Sequence, residues 1–180
     1  WTNATVDPES GKKKPDYRWT YEEFTDQIYQ DHLTGEKSVG AQPTNENGDA
    51  KFGVIDIDPK AYEGFNKQFY LEAIKQYDLP LIPIESKSGG LHLYLFMAEF
   101  VPSTLVVSFL SNLLPLFNLK PDCEIFPKQT QLTKDPETGI LKPGQFINLP
   151  YFESKKRRAM NIDGTFFTLE QFIKVAEANL

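Results

Sequence analysis

Between Leu79 and Met97 the chain reads LPLIPIESKSGGLHLYLFM, two apolar runs separated by a polar stretch that ends in two glycines. Two short β-forming runs joined through Ser86, Lys87, Ser88, Gly89 and Gly90 predict an antiparallel hairpin, because a tight reversal needs residues that tolerate unusual backbone angles. A hairpin alone is marginal in water, so its apolar faces require further strands and helices. The sequence supplies both. KFGVIDID follows the strong turn NENGD and reads as a mostly apolar strand with two acids at its far end; SVGAQP, CEIFP and QFINLP read as short strands, the last two flanking the polar insert TKDPETG. A capping box, TYEE, predicts a helix from Thr20 to about Leu33, stopped by Gly35. PKAYEGFNKQFYLEAIKQYD predicts an amphipathic helix with Pro59 near its first turn and Phe65, Phe69, Ala73 and Tyr77 spaced four apart. STLVVSFLSNLLPLF and TLEQFIKVAEANL predict two more. Hairpins beside helices favour an α+β fold with mixed sheets layered by helices over a purely parallel, doubly wound one.

The 180 residues suffice for one domain, or for two small intimately packed lobes. We expect residues 1–18, with their ESGKKKPDYR stretch, to be a loop or flexible arm, and residues 19–180 to form a single unit. Opening on Trp1, the chain reads as a piece of a longer protein. No stretch approaches the roughly 18 apolar residues of a membrane span, so no membrane partner is expected. A single cysteine, Cys123, excludes an internal disulfide framework and fits the reducing cytoplasm. The net charge of −6 argues against nucleic acid until its distribution is considered. Residues 86–160 carry nine Lys/Arg against six Asp/Glu, and the excess of acid lies outside them. The positive charge thus gathers in the half that contains the hairpin turn.

Three constellations carry chemistry. Asp56 and Asp58 lie two apart on a strand, so both carboxylates leave on one face, where two like charges are costly without a cation between them. A strand end entering solvent also explains a lone DxD, but the pair suits Mg²⁺ or Mn²⁺, which prefer carboxylate oxygen. In SKSGGLH, Ser86, Lys87 and Ser88 offer hydroxyl and ammonium donors, Gly89 and Gly90 allow close backbone approach to an anion, and His92 can donate from its ring. A plain turn followed by a structural histidine is the alternative. Downstream, Glu124 in PDCEIFPKQ can bring a third carboxylate toward the pair, with Lys128 and Gln129 at the same strand end and Asn148 on the next strand. Each of these also has an ordinary surface explanation.

The order of these pieces is more specific than any one of them. A DxD, a helix, a Ser/Gly-turn-His hairpin, a helix and an acid on a strand together resemble the archaeo-eukaryotic primase superfamily, in the primase-polymerase branch of mobile elements, phages and conflict or CRISPR-associated systems. The matched motifs are the acids at Asp56 and Asp58, the SxxxxxH motif from Ser86 to His92, and the third acid at Glu124. DHLTGEKSVGAQP, EIFPKQ and GQFINLP resemble flanking family segments, so the likeness spans about residues 28 to 152. Glu124 departs from the commoner Asp, and the basic residues that many relatives carry within the glycine turn are missing.

The resemblance implies a primase catalytic core, an RRM-like module with an N-terminal α/β module, and template-dependent nucleotidyl transfer from dNTPs or NTPs to a 3′-hydroxyl. It implies two Mg²⁺ or Mn²⁺ ions on Asp56, Asp58 and Glu124. The triphosphate would lie on Ser86, Lys87, Ser88, Gly89, Gly90 and His92, with Lys128, Gln129 and Asn148 beside it. DNA template and primer would run along Lys155, Lys156, Arg157 and Arg158 of SKKRR, which otherwise reads as a solvated loop. Tyr62, Phe65 and Phe126 are candidates for stacking on bases, although core packing suits each better. Flanking helicase or accessory domains are expected in the longer protein. Two rivals remain at this point: a metal-dependent nuclease using DIDPK with Lys60, and a nucleic-acid-binding module without catalysis.

Overall fold

The computed structural model describes residues 24–180, together with Trp19 and the strand backbones of β1 (Thr2–Val6) and β2 (Lys13–Tyr17). Those two strands pair antiparallel, Thr2 opposite Tyr17 and Val6 opposite Lys13, where the sequence reads as a loop or arm. Thr2, Thr5 and Val6 are β-branched and suit an extended chain, a signal that the Lys, Pro and Gly content of the segment outweighed.

The rest is α+β, as expected. Helix α1 (Asp26–Thr34) is followed by β3 (Gly40–Ala41) and β4 (Asp49–Ile57). Next come α2 (Lys67–Gln76), β5 (Ile82–Glu85), β6 (Leu91–Pro102) and α3 (Ser103–Leu113). The short strands β7 (Glu124–Phe126) and β8 (Ile147–Asn148) precede the last helix, α4 (Leu169–Ala178). The main sheet is four-stranded, in the order β5-β6-β4-β7, and every neighbouring pair in it is antiparallel. β3 and β8 form a separate two-stranded ribbon with Gly40 opposite Asn148.

Alternation along the central strands divides the core into two layers. Ile55, Ile57, Leu91 and Leu93 point to the face covered by α2 and α3, where they pack with Leu71, Ile74, Val106, Leu110 and Phe117. Val54, Tyr94, Ile82, Ile84 and Phe126 point the other way, against Ile147, Tyr151 and Ala159, with Phe172 of α4 packed on them. Each such large side chain removed from water contributes about 1.5–3 kcal/mol. Both faces of the sheet are therefore covered, except where the second face carries polar residues at one end.

Two helices begin later than the sequence predicts. For α1 the cap is Thr25, whose hydroxyl accepts from the Ile28 N–H at 3.4 Å, with Asp26 in the first turn; the predicted box at Thr20–Glu23 lies outside the described residues. For α2, Pro59 starts only a short 3₁₀ turn through Ala61, capped by Asp58, and the helix proper is capped by Asn66. The buried stripe consequently runs through Tyr70, Leu71, Ala73 and Ile74, while Phe69 and Tyr77 of the predicted stripe are exposed. A second cap within the segment reset the helical phase.

His32 joins α1 to the loop after β8. The Val39 N–H donates to its Nδ1 at 3.0 Å, which places the ring proton on Nε2 for donation to the Pro150 carbonyl at 2.9 Å. The ring is 2% exposed, and burial, aided by the nearby Arg157 charge, holds its pKa below the usual histidine value. A histidine whose folded pKa is depressed contributes stability that is complete above about pH 6.5 and is lost as pH falls through that value toward the lower folded pKa. The urea midpoint should therefore decline from pH 7.5 to 5.5, in H92Q as in the wild type. A flat profile in that window would contradict the assignment.

Candidate active site

The pairing register assembles the site. Asp56 on β4 lies directly opposite His92 on β6 and, on its other side, directly opposite Glu124 on β7. Directly opposed residues of antiparallel strands share a face, so Glu124, Asp56 and His92 form one row across the sheet, on the face that also carries Val54 and Tyr94. The His92 Nε2 is 3.3 Å from Asp56 Oδ1. His92 is buried, whereas the Asp56 side chain keeps 28% of its surface and Glu124 keeps 56%. Lys128 Nζ reaches Glu124 Oε1 at 2.7 Å. Beneath the row, the Cys123 thiol lies 3.5 Å from the Asp56 carbonyl oxygen, tying the approach to β7 onto β4.

Asp58 follows the last residue of β4, and its carboxylate accepts from the Lys60 N–H at 3.0 Å. The donor set Asp56, Asp58 and Glu124 has the all-oxygen chemistry that a hard divalent ion requires. Among the described residues, no three His, Cys, Asp or Glu side chains already converge on a common point. Asp58 and Glu124 instead rest on protein donors, the Lys60 amide and Lys128, and Asp56 has the His92 ring 3.3 Å away. The donor set would suit Mg²⁺ or Mn²⁺ by its chemistry alone, and a bound ion would have to draw these oxygens together and away from their present partners.

The hairpin turn differs from the expected cradle in one respect. The Ser86 N–H donates to the Gly90 carbonyl at 3.0 Å, and the Gly89 N–H donates to the Ser86 carbonyl at 3.1 Å. The Gly90 N–H donates to Ser86 Oγ at 3.0 Å. Both glycine amides are thus consumed in closing the turn rather than exposed to an anion. Gly89 supplies the positive φ of 84° that a three-residue loop needs. At its tip, Lys87 and Ser88 are exposed, and Ser88 Oγ lies 3.0 Å from Ser86 Oγ. Their hydroxyl and ammonium groups, not the glycine backbone, are the donors the turn presents.

Gln129 and Asn148 are placed by structural bonds. Gln129 Oε1 accepts from the Gln145 N–H at 2.6 Å, and its carbonyl accepts from the Thr44 hydroxyl at 2.5 Å. It therefore fastens the segment before β8 to the end of β7. Asn148 accepts from the Tyr94 hydroxyl through its carbonyl at 3.3 Å, which sets the ribbon against the face that carries His92. Burial pushes the Tyr94 phenol well above its ordinary pKa, so it stays a donor.

The four basic residues do not act as one strip. Arg157 is buried, its Nη2 3.2 Å from Ser38 Oγ and its guanidinium 5.1 Å above the Phe152 ring, because the chain turns through a left-handed residue there (φ 57°). Lys155 and Lys156 are exposed, the latter paired with Glu153 at 2.7 Å, and Arg158 stacks on Phe166 at 4.2 Å. The segment runs beside β5: the Glu85 N–H donates to the Arg158 carbonyl at 3.0 Å, and Met160 N–H donates to the Pro83 carbonyl at 2.8 Å. This sets Arg158 on the sheet edge next to the hairpin, while Lys155 and Lys156 lie in the turn before it, closed on Phe152.

The aromatic candidates pack, as the sequence favoured. Phe126 is 5% exposed and Phe65 lies against Tyr70. Tyr62, with Lys120 over its ring, has its phenol pushed up to about 12 by burial and by Cys123.

A row of acids and a histidine across antiparallel strands keeps the motif order that resembles the archaeo-eukaryotic primases, and the chain belongs to that superfamily. Residues 1–177 match the family described as TOTE conflict system, Archaeo-Eukaryotic Primase domain, which assigns the chain to the conflict-system branch and to its primase-like nucleotidyltransferases. No curated protein matches the chain significantly. No helix among the described residues is long and apolar enough to cross a membrane.

Proposed function

We propose that this domain is a DNA-directed primase-polymerase, joining a dNTP or NTP to a 3′-hydroxyl on a template, and that Asp56, Asp58 and Glu124 hold its two Mg²⁺ or Mn²⁺ ions. The observation that carries the reading is the cross-strand row, in which Asp56 has Glu124 on one side and His92 on the other. When bound, the ions would lower the pKa of the attacking hydroxyl and offset the triphosphate charge. The 3′-oxygen then bonds to the α-phosphorus and pyrophosphate leaves. The protein's own part is orientation. Ser88 and Lys87 would grip phosphate oxygens at the turn tip, and His92 would fix Asp56 while presenting its ring to the phosphates. Lys155, Lys156 and Arg158 would meet the backbone of template and primer along the adjoining edge and the turn before it. Because no covalent intermediate is needed, positioning and charge neutralisation supply most of the rate.

The test is incubation with a labelled primer–template, Mn²⁺ or Mg²⁺, and each nucleotide pool. Lengthened products support the reading. Products that only shorten support the nuclease alternative, and DNA bound without chemistry would reduce the domain to a binding module.

A further inference from the structure

The proposed metal ligands do not stand as bare acids. Asp56 and Glu124 are directly opposed in the β4–β7 ladder, where like charges repel. Each has its nearest partner outside the pair: Asp56 Oδ1 lies 3.3 Å from His92 Nε2, and Glu124 takes its charge compensation from Lys128 at 2.7 Å. Across the sheet the order is therefore Lys128, Glu124, Asp56, His92, with the ammonium at the open end. The Lys128 ammonium lies 5.2 Å from the Phe126 ring centroid, and its side chain keeps 31% of its surface. It is held over the site rather than sealed into it, on a flexible four-carbon stem.

The geometry points to Lys128 as a tethered counter-cation, which competes with a divalent ion for Glu124 and, once displaced, turns to the phosphates of the nucleotide. This rests on the metal reading above. A lysine ammonium and a divalent ion cannot share one carboxylate at contact distance without strong mutual repulsion. Displaced, the ammonium remains within a side chain's reach of the same rim, and the incoming triphosphate is the anion that can replace Glu124 as its partner. One residue would thereby offset the acids before the metal arrives and bind substrate afterwards.

The two roles give K128M effects of opposite sign. Mn²⁺ binding without nucleotide, followed by the spectroscopic signal of free Mn²⁺, should tighten about two- to fivefold, the scale of a half-exposed ion pair. Binding of dATP at saturating Mn²⁺, without primer, should weaken several-fold in the same variant. K128R, which keeps the charge, should return both toward the wild type. Unchanged or weaker Mn²⁺ binding in K128M would overturn the exchange, as would unchanged dATP binding. If the wild type shows no Mn²⁺ binding that D56N removes, the metal reading falls and the exchange falls with it. The two failures are thus separable in one set of titrations.

Discussion

Asparagine at position 56 is expected to reduce template-directed incorporation by at least about a hundredfold and to leave the fold intact. The side chain sits at the centre of the row, flanked by the only other acid and the only histidine that the ladder sets opposite it. Losing its charge would replace the central anionic oxygen donor of the proposed metal site by a neutral amide, and no other acid on the row sits between Glu124 and His92. Stability should behave differently. D56N relieves the repulsion between Asp56 and Glu124 and keeps an oxygen facing the His92 ring, so the net change should stay within about 1 kcal/mol. Activity in primer extension and the urea midpoint would be measured on the same preparation. Retained incorporation would sink the catalytic assignment, and a large loss of stability would make Asp56 a structural residue.

The parts of the site that were legible in the sequence are those set by period and spacing. Alternation along VIDID and LHLYLF decides which face each residue takes, so Asp56 and His92 had to share the face of Val54 and Tyr94 once their strands paired. Nothing local specifies which strands pair, and the opposition of Glu124 to Asp56 rests on tertiary packing of a three-residue strand. Charge runs were equally ambiguous. SKKRR carries no signal that Arg157 alone turns inward, because that depends on one left-handed residue and on Phe152 and Ser38 being nearby. His32 could not be told from a surface histidine on α1, since its two partners, Val39 and Pro150, lie 7 and 118 residues away. The glycine pair reads as a turn, which it forms, and as a backbone that offers its amides to an anion. Its amides look available in a sequence, and only the closing bonds to Ser86 show that they are spent.

The two glycines should therefore respond very differently to alanine. A Cβ on Gly90 would lie 2.1 Å from the Ile57 carbonyl oxygen, 2.7 Å from Pro59 Cδ and 3.2 Å from Ser86 Oγ. The Ile57 backbone cannot give way cheaply, because Ile57 pairs with Leu91 in the same ladder and Pro59 opens the next turn. G90A must lift the hairpin from the end of β4, at a cost of about 2–4 kcal/mol. It should also separate His92 from Asp56 and so lose nucleotide use beyond what the lost stability explains. A Cβ on Gly89 meets nothing within 4 Å, and its cost is the positive φ alone, about 1–2 kcal/mol. If G89A keeps most of its incorporation rate while G90A loses it, close packing of the turn on the acid-bearing strand is what couples the hairpin to the catalytic row. Equal losses in the two variants would show instead that the loop's own conformation, and not its packing on β4, is what the catalytic row needs.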